Sequence, residues 1–204
     1  MFSIPENARV IVPDTVSIIE RWLCPNHSDL YSEKIIEETY DKWRGQMAFS
    51  RGRRWFDKEH CMARFGDENV TYSYKGKEKP VYQWTETLGV IRDKLAADFN
   101  WNPNCVVLNS YGPSSSLYPH RDSTYIPQLG EDPIIIAVSF GCTRTFNLYK
   151  GDSKKPDIGI QLRHGDLLVM HGKCDSMFKH GISDESGTCE NATRISLTFR
   201  KHIV

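Results

Sequence analysis

Between Cys105 and Lys201 the sequence breaks into eight short runs with the two-residue alternation of β-strands. They fall at 105–111, 117–122, 134–140, 144–149, 158–163, 166–171, 177–181 and 193–201. Gly112-Pro113, Gly130, Gly141, Gly151-Asp152, His164-Gly165 and Ser186-Gly187 supply the breaks. The first half instead carries helical spacing. Residues 15–23 place Val16, Ile19, Trp22 and Leu23 at helical intervals, 28–43 repeat Tyr31, Ile35, Thr39 and Trp43, and 84–99 align Trp84, Leu88, Ile91 and Leu95. Eight short strands after a helical half predict an α+β fold: a double-stranded β-helix, or jelly roll, with supporting N-terminal helices. A chain of 204 residues suffices for one domain, and no repeat or linker divides it. The expected layout is a single domain over 1–204, with a helical part at 1–59 and the jelly-roll core at 105–201.

Chemistry is suggested first by His120-Arg121-Asp122. On a strand, residues two apart share a face, so the imidazole and the carboxylate would converge. Two histidines and one carboxylate on one face of an octahedron leave positions open for Fe(II) chemistry. The pair alone is weak, because seven histidines make chance matches easy. His180 is well placed as the second histidine, while His164 and His171 read as structural or surface residues.

The last strand, Arg194-Ile195-Ser196-Leu197-Thr198-Phe199-Arg200, puts both arginines, Ser196 and Thr198 on one face. Such a face ordinarily turns to water. Turned inward, the arginines need anions, because an unpaired buried charge is very costly. A dicarboxylate would supply them, with Asn109 and Tyr111 sharing a face one strand before the His-x-Asp pair.

These segments occur in a definite order: Asn109-Ser110-Tyr111, His120-Arg121-Asp122, Ile136 to Gly141, His164 to Met170, His180-Gly181, and Arg194 to Arg200. Their order and spacing resemble the AlkB family of Fe(II)/2-oxoglutarate dioxygenases over roughly residues 60–201. The resemblance implies that His120, Asp122 and His180 ligate Fe(II), and that O2 and 2-oxoglutarate are consumed. Arg194 and Tyr111 would bind the distal carboxylate of 2-oxoglutarate, and Arg200 and Asn109 its metal-chelating end. Residues 60–82 resemble the substrate lid of the nucleic-acid demethylase branch. Tyr72 and Tyr74 would then stand by a flipped-out base. The implied activity is oxidative demethylation of N-alkylated bases in DNA or RNA, releasing formaldehyde, succinate and CO2. The alternative is the same oxidation of a protein side chain or small metabolite; a third reading is a binding module without turnover.

Two positions depart from the family pattern. Ser196 stands where an asparagine is frequent, which predicts a modest effect on cosubstrate binding. Thr124 stands where members acting on cationic bases carry an acid, and a threonine cannot favour a positive base.

Net charge is zero, with 26 basic and 26 acidic residues, so contact with a polynucleotide must come from a local patch. From Arg44 to Lys79 there are nine Lys/Arg against five Asp/Glu, densest at Arg51, Arg53, Arg54 and Trp55. The stretch reads equally as a solvated charged surface. The run Ile134 to Val138 is too short to cross a membrane. No secretory signal opens the chain, and six scattered cysteines lack any CxxC pair. Together these predict a monomer with reduced thiols in an intracellular setting, cytoplasmic or nuclear.

Overall fold

The computed structural model describes residues 1–43, 60–112, 115–183 and 193–203. The N-terminal half contributes β1 (Arg9–Val12), β2 (Val16–Ile19), α1 (Pro25–Trp43), β3 (His60–Gly66), β4 (Tyr72–Tyr74), β5 (Lys77–Lys79) and α2 (Glu86–Phe99). Then follow β6 (Cys105–Tyr111), β7 (Leu117–His120), α3 (Asp122–Tyr125) and a 3-10 turn, Pro127–Leu129. The chain continues through β8 (Ile135–Gly141), β9 (Arg144–Lys150), β10 (Ile158–Leu162), β11 (Leu167–Met170), α4 (Cys174–Met177), β12 (Phe178–Ile182) and β13 (Arg194–Arg200).

A seven-stranded sheet runs β1-β2-β11-β8-β13-β6-β3, and a four-stranded sheet runs β10-β9-β12-β7. The eight strands β6 to β13 divide four and four between them, every pairing antiparallel. This is the double-stranded β-helix expected from the alternation.

Alternation assigns each side chain of the larger sheet to one of two cores. Val106, Leu108, Ile136, Val138, Leu197 and Phe199 face the helices, meeting Ile35 of α1 and Leu88, Ile91, Leu95 and Phe99 of α2. Ile135, Ala137, Leu168 and Met170 face inward, against Phe146, Leu148, Ile160, Leu162, Phe178 and Ile182 of the smaller sheet. Helix α2 begins where Thr85 accepts a hydrogen bond from Leu88 N–H, and ends at Asn100 in the left-handed region, φ 46°. Trp84 stacks on Phe199 with ring centroids 6.3 Å apart, seating the helix on β13.

Three expectations change. Residues 15–23 are not a helix: Val16, Ser17, Ile18 and Ile19 are all buried in β2, between β1 and β11. Four residues buried on both faces cannot be told from a helix segment by periodicity. Residues 60–66, at the start of the stretch expected as a lid, form β3, which pairs residue by residue with β6 at the sheet edge. The sheets therefore recruit β1, β2 and β3 from outside 105–201. Finally, Cys24, Cys61, Cys105 and Cys174 are free thiols, whereas Cys142 is disulfide-bonded rather than reduced.

Candidate metal centre and cosubstrate pocket

His120 and His180 face each other across the antiparallel pair β7–β12. Directly opposed residues bring their side chains together on one face, and the two imidazole centroids lie 4.4 Å apart. The close approach needs a glycine next to His180: a Cβ on Gly181 would stand 2.5 Å from the Leu117 carbonyl oxygen. Asp122 reaches the same place by a different route from the one expected. Strand β7 stops at His120, Arg121 is extended, and Asp122 opens the one-turn helix α3. Its Oδ1 lies 3.3 Å from His120 Nε2 and 3.9 Å from His180 Nε2. One ligand atom from each of the three falls within 4.8 Å of the others.

The surroundings fix which atoms face the centre. His120 Nδ1 stands 2.9 Å from the Tyr118 carbonyl, to which it donates, so Nε2 is the ring atom turned towards Asp122. The His180 ring stacks on Phe146 at 5.4 Å. Burial, helped by the neighbouring His120, pushes the His180 pKa down to about 3, so its imidazole is neutral. Burial also works to lower the His120 pKa, but the hydrogen bond and charge of Asp122 outweigh it and leave it raised. Burial alone would raise the Asp122 carboxyl. Arg200, then His120, instead hold it well below the usual carboxylate range.

Both arginines of β13 point inward and are buried, as are Asn109, Tyr111 and Ser196. Register aligns Arg194 with Tyr111 and Ser196 with Asn109 on β6. Arg194 Nη2 donates to Ser139 Oγ at 3.0 Å, and its guanidinium lies 5.4 Å from the Tyr111 ring centroid. Arg200 donates to Asp122 Oδ2 through Nη2 at 2.6 Å and Nε at 3.1 Å. One carboxylate oxygen is thereby held by the arginine and the other is aimed at the imidazoles.

The residues expected near a substrate are dispersed. Tyr72 is 4% exposed, 4.8 Å beneath the Arg64 guanidinium and 5.3 Å from the His202 ring. Burial, the largest influence, drives its phenol pKa up to about 12. Tyr74 is half-buried against Tyr125, with centroids 5.5 Å apart, and Thr124 is exposed. Lys75 ties the β4–β5 hairpin to α3, donating its N–H to the Tyr125 carbonyl and placing Nζ over both tyrosine rings. Arg51, Arg53, Arg54 and Trp55 lie outside the described residues. His164 contacts Asp29, and His171 packs near Phe2; neither joins the three-ligand cluster.

Sequence reasoning missed Asp175, which hydrogen-bonds the turn beginning at Asp122. No motif marks it, because it lies in the unremarkable stretch Gly172-Lys173-Cys174-Asp175. Tyr125 was missed for the same reason, and Lys75 was marked only as part of the lid segment, not for its contact with Tyr125.

Comparison with known proteins agrees with this geometry. The sequence profile of the 2OG-Fe(II) oxygenase superfamily matches residues 15–200. The chain is 30% identical over 156 residues to the DNA oxidative demethylase ALKBH2 of Bos taurus, covering 72% of this chain and 55% of that protein. It is 30% identical over 190 residues to the alpha-ketoglutarate-dependent dioxygenase alkB homolog 3 of Bos taurus, covering 87% and 64% respectively.

The chain belongs to the AlkB family of the 2OG-Fe(II) oxygenase superfamily.

The chain thus spans 55% and 64% of the length of these two AlkB-family relatives. A solved structure, titled "The structure of OsALKBH1", superposes with a TM-score of 0.68 over 95% of this chain and 100% of that one, at 16% identity. That likeness establishes the AlkB-like fold. Among the described residues, no helix is long and apolar enough to cross a membrane.

Proposed function

We propose that this AlkB-family chain is an Fe(II)- and 2-oxoglutarate-dependent dioxygenase that demethylates N-alkylated bases of DNA or RNA. The observation carrying the reading is the convergence of His120, Asp122 and His180 within 4.8 Å. The donor set fits the metal: two imidazoles and one carboxylate are the ligands of non-haem Fe(II) oxygenases, with positions left open. When bound, Fe(II) with 2-oxoglutarate and O2 supplies the oxidising power for C–H hydroxylation, with succinate and CO2 as co-products.

The protein's own groups bind and orient. His120, Asp122 and His180 would hold the metal, with Arg200 keeping Asp122 ionised. Arg194, Tyr111 and Ser139 would receive the distal carboxylate of 2-oxoglutarate, each charge-assisted bond contributing about 1.5–3 kcal/mol. Asn109, Ser196 and Arg200 would serve the end nearer the metal. Tyr74 and Thr124 would meet the base, while Tyr72 would support the hairpin from beneath. Hydroxylation of an N-methyl carbon gives a hemiaminal, which breaks at C–N to formaldehyde and the free base.

The names of the relatives support nucleic acid as substrate: one is a DNA oxidative demethylase. We take the chain as a single catalytic domain acting as a monomer, with the jelly roll at 105–201 and the lid within 60–82. The proposed setting is intracellular, cytoplasmic or nuclear; four free thiols agree with it, and the disulfide at Cys142 does not follow from it. A second reading, oxidation of a protein side chain or metabolite, is favoured by Thr124, exposed and uncharged within the turn that carries Asp122.

The test supplies Fe(II), ascorbate and 2-oxoglutarate with methylated DNA or RNA oligonucleotides and measures succinate and formaldehyde. Matching release of both with one polymer is expected. Succinate release stimulated only by peptides or metabolites would move the assignment to the second reading.

A further inference from the structure

We propose that Asp175 is a positioning residue that clasps together the two segments carrying the metal ligands. The inference rests on the metal-centre reading above and goes beyond the three ligands.

The turn that presents Asp122 lacks a local cap. Its N-cap residue is Arg121, which makes no side-chain capping bond and offers no acceptor. Asp175 does this from 53 residues away in sequence. Its Oδ1 accepts the Asp122 N–H at 2.9 Å, and its Oδ2 accepts the Ser123 N–H at 3.3 Å and the Ser123 hydroxyl. Asp175 is only 5% exposed, so water does not readily replace these bonds.

Asp175 belongs to α4, which runs directly into β12 and His180. The segment supplying the third ligand therefore grips the backbone of the turn supplying the second. His120 is already fixed to His180 through the β7–β12 pairing. The geometry closes a ring of four links: β7 to β12 by sheet hydrogen bonds, β7 to α3 by the chain, α3 to α4 by Asp175, and α4 to β12 by the chain. Outer groups that orient metal ligands in this way typically change metal affinity about 10–100-fold when removed.

The fold contains its own control. Asp166 is 1% exposed and also accepts two backbone N–H bonds, from Arg21 at 2.9 Å and Arg163 at 2.8 Å. It does the same structural work away from the three ligands. An Asp→Asn change at either site sets an amide donor against a backbone donor, so both variants lose stability. Only Asp175→Asn should disturb the metal.

The experiment titrates cobalt(II) alone, anaerobically, into the metal-free full chain, reading affinity by calorimetry and geometry by visible absorption. Asp175→Asn is expected to raise the cobalt(II) Kd about 10–100-fold and alter the visible spectrum. Asp166→Asn should lower the melting temperature and leave Kd and spectrum unchanged. Should Asp175→Asn fail to fold, Ser123→Ala decides: it removes one of the three bonds and should raise Kd by a smaller factor. Wild-type affinity and spectrum in the folded Asp175→Asn chain, or in Ser123→Ala when it is the deciding variant, would overturn the clasp. So would an equal loss in Asp166→Asn. If the wild-type chain bound no cobalt(II), the metal centre itself would be wrong, and the clasp with it.

Discussion

Replacing Arg200 with methionine should do more than weaken the fold; it should reverse how stability at this site responds to acid. Arg200 and Asp122 are both almost wholly buried, with side chains 7% and 4% exposed, and the guanidinium donates twice to one carboxylate oxygen. Removing one member of such a pair leaves a buried charge uncompensated and costs about 3–5 kcal/mol. With a urea dependence of about 2 kcal/mol per molar, the unfolding midpoint would fall by roughly 2 M at neutral pH. In the wild-type chain the Asp122 pKa is depressed, Arg200 being the chief lowering influence. Its stabilisation is present above the unfolded carboxylate pKa and is lost as pH falls through the folded one. Without Arg200, burial dominates and raises that pKa. The folded variant then binds the proton more tightly than the unfolded chain. Its deficit should be full at pH well above the raised pKa and should shrink on acidification. His120, 3.3 Å from the other carboxylate oxygen, supplies a compensating charge only when protonated, which pushes in the same direction. The assay is a set of urea melts on metal-free wild-type and Arg200→Met protein at stepped pH. A deficit below about 1 kcal/mol, or one that does not change with pH, would refute the reasoning.

Three further outcomes follow from particular contacts. Gly181→Ala puts a Cβ 2.5 Å from Leu117 O; overpacking of this kind costs about 1–3 kcal/mol, and spreading β7 from β12 should weaken metal binding, so unchanged Tm and cobalt(II) affinity would contradict the close approach. Arg194→Ala should weaken 2-oxoglutarate binding while leaving metal affinity alone, measured by calorimetry; a change confined to oligonucleotide affinity would place Arg194 in a different pocket. Tyr72 has a phenol pKa raised from 10.0 to about 12, chiefly by burial, so the folded state favours the neutral phenol. That stabilisation is intact below pH 10 and is lost as pH rises towards about 12. Tyr72→Phe should therefore flatten the alkaline loss of stability by up to about 3 kcal/mol, and parallel curves for the two chains would show that Tyr72 ionises freely.

The jelly roll was legible because alternation and burial coincide. Strand β13 could be read from the alternation of Arg194, Ser196, Thr198 and Arg200 with Ile195, Leu197 and Phe199, whereas the inward turn of its arginines was implied only by the family resemblance. Strand β2 was illegible for the opposite reason: Val16 to Ile19 are buried on both faces, so no period of two survives. The cluster of His120, Asp122 and His180 was visible as residue types at a spacing, yet the path that assembles it was not. The chain leaves β7 after His120 and delivers Asp122 from a helical turn, because Asp175 supplies capping acceptors from a distant segment. Such tertiary capping leaves no local pattern. The proposed lid was marked only as a region: β3 is a sheet strand, and the short β4–β5 hairpin is held by Lys75 and Tyr125, whose meeting depends on the folded chain.

In the proposed function, His120, Asp122 and His180 bind Fe(II) with room beside them for 2-oxoglutarate. The most direct measurement adds 2-oxoglutarate anaerobically to the Fe(II)-loaded protein and records the visible absorption. Chelation of the metal by the 2-oxo acid gives a charge-transfer band. The band is expected to appear in the wild-type chain, to saturate near one equivalent, and to be lost in His180→Ala. A wild-type protein that binds Fe(II) yet shows no band, or a His180→Ala protein that keeps it, would overturn the assignment of these residues as a metal centre that takes 2-oxoglutarate.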